Sequence, residues 1–155
     1  MVRQLIGRDA QVGIVHAWLG DRSALPGTLL LEGAPGIGKS SLVGVARDLA
    51  AADGYRVLAA MPAEAEAELA YAGLGDLAAG LPDGTLAALP DPQREAIDVA
   101  LLRRPSSSSS PDPLGVAVAF LGAVRRLAAD APVLIAIDDW QWLDLPVVRP
   151  ARGLH

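Results

Sequence analysis

Apolar residues recur at the three- and four-residue spacing of a buried helix face in four stretches of the chain. The stretches cover residues 10–19, 39–52, 93–102 and 113–130. Asp9 precedes the first stretch and Asp112 the last, where a carboxylate can cap the free N–H groups of a helix start. The pattern predicts four helices. In chain order, the residues expected on their buried faces are Val12, Val15 and Leu19; Leu42, Val45, Ala46 and Leu49; Ala96, Ile97, Ala100 and Leu101; and Val116, Phe120, Val124 and Leu127.

Three shorter apolar runs, residues 28–32, 55–60 and 132–137, have the length of strands. The first two flank a glycine-rich loop and a helix, which together make the strand–loop–helix–strand unit of a parallel sheet. The third run is continuous and rich in β-branched residues, as expected of a central strand covered on both faces. We therefore predict an α/β fold in which helices cover a parallel sheet in three layers.

The region between the second and third runs is predicted to be helical but interrupted. Turn signals occur at Gly73, at residues 80–84 and at residues 90–92. A run of five serines with prolines on either side follows, so residues 105–113 are predicted to form a flexible loop. A phosphorylated or ligand-binding serine tract is the alternative.

Length and composition narrow the class of protein. A chain of 155 residues is long enough for one domain with a core, and it contains no cysteine for disulfides or thiolate metal sites. Its longest apolar run, residues 114–124, is shorter than the ~18 residues that a membrane span needs. The N-terminus lacks the apolar core of a signal peptide. We expect a soluble, cytoplasmic protein with no membrane contact.

The charge pattern bears on nucleic-acid binding. The net charge is −5, and the arginines are scattered apart from the pairs at residues 103–104 and 125–126. DNA-backbone binding depends on clustered positive charge. We therefore expect no direct DNA binding by this segment.

A phosphate-binding pattern lies between the first strand run and the second helix. Residues Gly33, Ala34, Pro35, Gly36, Ile37, Gly38, Lys39 and Ser40 match G-x-x-x-x-G-K-[ST] at every fixed position. In such a loop, inward backbone N–H groups and the lysine ammonium bind the phosphates of a nucleotide. Lys39 is also the only lysine of the chain. The alternative is a glycine-rich turn that precedes a helix by chance.

Two carboxylates, Asp138 and Asp139, close the third strand run. Ligands of open α/β sheets bind at the carboxyl ends of the strands, so these acids match the Walker B motif that accompanies a phosphate loop. In such sites the loop hydroxyl, here Ser40, and a strand-end Asp, here Asp138, bind Mg²⁺. The adjacent acid, Asp139, then positions and deprotonates water. A solvated strand end is the alternative.

Several segments together resemble a known family. They are residues 5–9, 32–41, 68–74, 127–130 and 133–144, of which Asp138-Asp139-Trp140-Gln141-Trp142-Leu143-Asp144 is the most discriminating. These segments are similar to the N-terminal ATPase domain of the large ATP-binding regulators of the LuxR family, which belong to the STAND branch of P-loop ATPases. The resemblance implies a three-layer P-loop NTPase core in a bacterial transcriptional regulator.

The resemblance also implies roles for individual residues. Gly7 and Arg8 would lie near the adenine, and the loop from Gly33 to Ser41 would bind the phosphates of ATP. Lys39 and Asp139 would be the catalytic residues, and Ser40 and Asp138 would hold Mg²⁺. For full-length proteins of this family, the resemblance also suggests nucleotide-dependent self-association.

The end of the chain departs from the family pattern. Residues 145–155 contain two prolines where family members continue with a helix and a strand. We therefore expect an ATPase domain over residues 1–144, incomplete at its C-terminal end, and an irregular tail over 145–155. A truncated or frameshifted chain of this kind would bind ATP with little turnover. The alternatives are a gene fragment without stable nucleotide binding and a DNA-handling ATPase of the replication-initiator or transposition-helper type.

Overall fold

The computed structural model describes residues 6–63, 71–103 and 111–142. The helices are α1 (Asp9–Gly20), α2 (Lys39–Ala52), α3 (Ala72–Ala79), α4 (Asp91–Ala100) and α5 (Pro113–Asp130), and the strands are β1 (Arg56–Ala60) and β2 (Val133–Ile137). Short 3₁₀ turns cover Arg22–Ala24 and Trp140–Trp142. Most of the predicted loop 105–113 and the whole predicted tail 145–155 lie outside the described residues, so both remain predictions.

β1 and β2 form a parallel pair, as the sequence predicted for the sheet. Arg56 is the partner of Val133, and Ala60 is the partner of Ile137. One further hydrogen bond flanks each end of the pair. At the start, Arg56 N–H donates to the Pro132 carbonyl over 2.8 Å, and at the end Asp138 N–H donates to the Ala60 carbonyl over 3.1 Å.

Helices cover both faces of this pair, which confirms the α/β fold in three layers. The buried cluster on the α1 and α2 face consists of Val15, Leu19, Ala50, Tyr55, Leu134 and Ala136. The buried cluster on the α3 and α5 face consists of Leu58, Ala60, Leu77 and Leu127. Leu58 is fully buried, and burial of one such side chain contributes about 1.5–3 kcal/mol to the free energy of folding.

A third buried cluster joins α4 to α5 beside the sheet. Its members are Leu74, Leu86, Leu89, Ile97, Ala100, Val116, Ala119 and Ala123. The predicted faces of both helices are confirmed, since Ile97 and Val116 are buried while Leu101 and Phe120 pack against the cluster. Among residues 6–63, 71–103 and 111–142, no helix is both long enough and apolar enough to cross a bilayer.

Two local predictions were wrong. Gly73 was predicted to form a turn, but it lies inside α3 and is buried, because Leu74 and Leu77 next to it pack into the two clusters of that region. Asp9 was predicted to cap α1, but it is the first residue of the helix itself, and no side chain caps that end. Asp112 does cap α5, as predicted, and its carboxylate accepts the N–H groups of Leu114 and Gly115.

The predicted strand at residues 28–32 is also absent from the sheet. Burial alternates from Thr28 to Leu31, as in an extended chain, and Leu29 packs against the α1 and α2 cluster. However, no backbone hydrogen bond joins residues 28–32 to another described residue. A strand requires a ladder partner, and β2 is paired only with β1 among the described residues. The apolar pattern therefore identified the extended segment but not its pairing.

The cap of α5 provides a stability prediction. Asp112→Ala removes the acceptor of two helix N–H groups, at 3.2 and 3.0 Å, and should lower the free energy of unfolding by about 1 kcal/mol. Asp9→Ala is the matched control, because no side-chain hydrogen bond caps the start of α1, and loss of the first-turn charge should cost less, about 0.3 kcal/mol. Urea unfolding measures both. Equal losses in the two variants would contradict the assignment of Asp112 as a cap.

Candidate functional site

The glycine-rich loop leads directly into α2. Gly36 and Gly38 have φ values of 76° and 95°, in the left-handed region that glycine adopts without steric cost. Gly38 precedes the first helical residue, and no side chain caps that helix start. The first intrahelical bond of this end runs from Leu42 N–H to the Gly38 carbonyl over 3.2 Å. The N–H groups of the first turn, residues 39–41, are therefore available to an anion.

Lys39 lies at the inner side of the loop. The residue is half-buried, and its ammonium donates to the carbonyl oxygens of Gly33 and Ala34 over 3.0 and 3.2 Å. Ile37 N–H closes the loop by donating to the same Ala34 carbonyl over 3.3 Å. The loop thus curves around the one ammonium group that the chain can supply from a lysine.

The acidic end of β2 contains an unusual backbone conformation. Asp139 has a φ of 51°, which non-glycine residues rarely adopt. Its carboxylate accepts Gln141 Nε2 over 3.1 Å, and its carbonyl accepts Trp142 N–H over 2.9 Å. The Asp138 carboxylate accepts the N–H of Asp139 over 3.1 Å. These bonds stabilise a strained turn of a kind that is often found at functional sites.

A cleft of about 630 Å³ brings the loop and the acidic turn together. We call it the phosphate cleft, and its lining is Leu31, Glu32, Gly33, Pro35, Gly36, Gly38, Lys39, Ser40, Asp139, Trp140 and Gln141. A second cleft of about 490 Å³ adjoins it and includes Lys39, Asp138 and Asp139 in its lining. Lys39 and Asp139 therefore line both clefts.

The two residues predicted to share Mg²⁺ lie on different clefts. Ser40 is exposed in the phosphate cleft, whereas Asp138 lines the adjoining one. Asp139 is the carboxylate that shares the phosphate cleft with Ser40. Oxygen donors of this kind suit Mg²⁺, which typically takes one or two carboxylates together with substrate phosphates. The described residues include no cluster of three or more His, Cys, Asp or Glu side chains that could bind a metal ion.

The N-terminal pair Gly7 and Arg8 lies against the loop. Gly7 adopts a φ of 72°, and the Arg8 guanidinium donates to the carbonyl oxygen of Ile37. The same guanidinium lies 3.9 Å from the position that a Cβ on Gly38 would occupy. The structure thus brings Arg8 to the phosphate loop, while its role beside adenine stays a prediction.

Sequence reasoning assigned no site role to four further residues of the phosphate cleft, Leu31, Glu32, Trp140 and Gln141. Leu31 and Glu32 directly precede the loop, and the other two directly follow Asp139, so adjacency to the motifs was the available signal. Conversely, Ala34, Ile37 and Ser41 are not part of the lining of this cleft. The carbonyl oxygens of Ala34 and Ile37 instead accept bonds from Lys39 and Arg8.

Comparison with known proteins gave one match. A family model described as an AAA ATPase domain matches residues 4–149. Neither the curated proteins nor the solved structures gave a significant match.

The left-handed conformation of Gly38 generates a stability prediction. Gly38→Ala places a Cβ at a φ of 95° and should lower the free energy of unfolding by about 1–2 kcal/mol. Gly13→Ala, the control, lies inside α1 with nothing within 4 Å of its added Cβ, and should raise stability by about 0.5–1 kcal/mol. Chemical unfolding of both variants measures the difference. Stabilisation by both substitutions would show that the loop does not impose this conformation.

Proposed function

The chain belongs to the AAA ATPase domain family and is a nucleotide-binding ATPase module, and from this premise we propose that it binds ATP with Mg²⁺ through residues 33–40 and the acids at 138–139. The observation that carries the proposal is the start of α2, where free N–H groups and the Lys39 ammonium face one cleft. This arrangement offers a triphosphate several donors and a positive charge at once.

Each side of the phosphate cleft has a role in the proposal. The N–H groups of residues 39–41 and the Lys39 ammonium bind the phosphates. The Ser40 hydroxyl and a strand-end carboxylate supply oxygen donors to Mg²⁺, and Mg²⁺ would neutralise charge on the phosphates. We retain Asp138 as the metal-binding acid and Asp139 as the acid that positions water. Because Asp139 lines the same cleft as Ser40, the competing hypothesis is that Asp139 binds the metal and Asp138 positions water.

We propose that turnover by this chain is low. The hydrogen bonds between β1 and β2 fix the position of Asp138 and Asp139. In the described part of the chain, residues 28–32 before the loop make no hydrogen bond to these two strands. Loop and acids are therefore positioned by different interactions. A displacement of about 1 Å between reacting groups can lower a rate a hundredfold.

We further propose that the module belongs to a transcriptional regulator of the LuxR family. The support is the resemblance of residues 5–9, 32–41 and 133–144, together with the family match over residues 4–149. The net charge of −5 argues that DNA recognition is performed by another part of such a regulator. Reading the coding sequence that flanks this chain for a DNA-binding domain tests the proposal.

Loss of the Lys39 charge should abolish nucleotide binding. Mg-ATP at a hundredfold excess over its dissociation constant stabilises the folded state by about 2.7 kcal/mol. For a chain of this size, that should raise the melting temperature by roughly 5–10 °C. Lys39→Ala should eliminate the shift, and Lys39→Arg should reduce it, because the loop surrounds a compact ammonium rather than a planar fork.

Arg125→Ala is the control for this experiment. It removes one positive charge from an exposed position of α5 and should leave the shift intact. Differential scanning fluorimetry with and without Mg-ATP measures all four chains. Identical melting curves of the unsubstituted chain in the two conditions would exclude the proposed function.

The two acids should differ in their effect on metal dependence. Asp138→Asn should reduce the dependence of ATP affinity on Mg²⁺ concentration, because it weakens an oxygen donor to the ion. Asp139→Asn should change this dependence little, since Asp139 is assigned to water. ATP titrations at several Mg²⁺ concentrations measure the effect, with Asp130→Asn at the exposed end of α5 as control. A larger loss in Asp139→Asn would transfer the metal role to Asp139.

A further inference from the structure

The 3₁₀ turn Trp140–Trp142 follows Asp139 directly and supplies a hydrogen-bond donor to its carboxylate. The donor is the side-chain amide of Gln141, whose Nε2 lies 3.1 Å from an Asp139 carboxylate oxygen. In the described part of the chain, no other side chain donates a hydrogen bond to either acid at the end of β2. Gln141 thus contacts the acid that we assign to water, although sequence reasoning gave it no role in the site.

The backbone of Asp139 is held independently of Gln141. Its N–H donates to the Asp138 carboxylate over 3.1 Å, and its carbonyl accepts the Trp142 N–H over 2.9 Å. These bonds determine where the backbone lies but leave the side-chain torsions of Asp139 free. An exposed side chain without a partner exchanges rapidly between rotamers. Because Asp139 is exposed, its bond to Gln141 selects the direction of the carboxylate.

The two cations at the phosphate loop are bonded elsewhere. The Lys39 ammonium donates to two carbonyl oxygens of the loop over 3.0 and 3.2 Å. The Arg8 guanidinium donates to the carbonyl oxygen of Ile37. The donor that orients Asp139 is therefore a neutral amide, which binds a carboxylate without removing its negative charge.

The Asp139 carboxylate retains most of its capacity to accept hydrogen bonds. A carboxylate has two oxygens with about four lone-pair sites, and the Gln141 amide occupies one of them. Asp139 and Gln141 both line the phosphate cleft, together with Lys39 and Ser40. The remaining lone pairs are therefore able to accept a hydrogen bond from a water molecule in this cleft.

We propose that Gln141 is a positioning residue for Asp139, and that its side-chain amide directs the carboxylate toward water in the phosphate cleft. Such a role rests on the proposed function, because it requires ATP in the cleft and Asp139 as the acid that positions water. In that step the water oxygen bonds to the γ-phosphorus, the bond from this phosphorus to the ADP oxygen breaks, and a water proton passes to Asp139. Gln141 exchanges no proton. Its effect is on orientation, so it acts on the rate of hydrolysis rather than on the affinity for ATP.

The alternative role for the same hydrogen bond is to stabilise the turn alone. The two roles make different predictions. Loss of a turn contact lowers the free energy of unfolding whatever the reaction does. A positioning residue, in contrast, affects the rate only while position 139 carries the carboxylate that acts on water.

The contact is tested first, on the full chain without nucleotide. In proton–nitrogen correlation NMR spectra, the side-chain amide signal of Gln141 should shift in Asp139→Asn, because its charged acceptor becomes a neutral one. The side-chain signal of Gln11, at an exposed position of α1, is the reference and should not move. An unmoved Gln141 signal would overturn the proposal whether or not the chain binds ATP.

The role is tested by single-turnover hydrolysis, with the chain in excess over radiolabelled Mg-ATP. Gln141→Leu should lower the rate about tenfold, less than the roughly hundredfold loss that a displacement of about 1 Å causes. The dissociation constant of ATP should stay within about twofold, since the orientation matters in the transition state. Gln141→Glu, with a carboxylate in place of the donor, should lower the rate at least as much. Gln11→Leu, the matched control, lines neither cleft and should change neither quantity.

A double variant separates positioning from stabilisation of the turn. Asp139→Asn removes the carboxylate that acts on water, so the addition of Gln141→Leu to this variant should lower the rate no further. Circular dichroism without nucleotide checks that each variant is folded. Gln141→Glu decides the outcome if Gln141→Leu unfolds.

Several results would overturn the proposal while leaving ATP binding intact. They are equal rates for Gln141→Leu and the unsubstituted chain, a loss of ATP affinity as large as the loss of rate, a further loss in the double variant, and no detectable hydrolysis by the unsubstituted chain. A changed Mg²⁺ dependence of ATP affinity in Gln141→Leu would also overturn it, because Asp139 would then be the metal-binding acid. The absence of any thermal shift with Mg-ATP would instead exclude the proposed function, and the positioning role with it.

Discussion

The parallel pair of β1 and β2 is the constraint on which the described structure depends. A parallel pair cannot be closed by a tight turn, so the chain between its strands must cross over one face of the sheet. That crossover carries α3, α4 and α5, and two of these helices cover the sheet on this face. The last bond of the pair, from Asp138 N–H to the Ala60 carbonyl, fixes where the acidic turn begins.

The phosphate loop is held by a different set of interactions. Its helix, α2, packs through Ala50 into the cluster that also contains Leu134 and Ala136 of β2. Leu29 joins the same cluster from the segment before the loop. Side-chain packing tolerates small displacements better than a hydrogen-bonded ladder does, since it is not directional. The distance between loop and acids is therefore less tightly fixed than the internal geometry of either part.

Sequence patterns predicted the features that depend on neighbouring residues. The faces of α4 and α5, the cap at Asp112 and the strands at β1 and β2 all follow from local spacing and side-chain chemistry. The loop of the candidate site was likewise visible as a motif. Predictions failed where tertiary packing decides the outcome. Glycine at position 73 is typical of a turn, but Gly73 lies in a helix because Leu74 and Leu77 beside it are buried.

Local patterns also could not predict which segments pair or which side chains come together, because both depend on tertiary packing. Residues 28–32 have the composition of a buried strand, but a ladder depends on which segment lies beside them. The sequence also placed Ser40 and Asp138 on one ion from their separate motifs; the two residues line adjoining clefts, and their sharing of Mg²⁺ stays a prediction. The contact of Arg8 with the Ile37 carbonyl joins segments 29 residues apart, and no local pattern identifies such a bond.

The bonds of Lys39 explain how a loop of this kind can be shaped before a ligand arrives. Its ammonium donates to the carbonyls of Gly33 and Ala34, so the curvature of the loop is maintained by the group that would contact a phosphate. Binding would exchange neutral carbonyl acceptors for charged phosphate oxygens, so that both partners of each hydrogen bond carry a charge. Gly36 and Gly38 adopt the left-handed backbone of this loop without steric cost. A loop that already has its shape loses less conformational entropy on binding than an unstructured one, which is the advantage of a preorganised site.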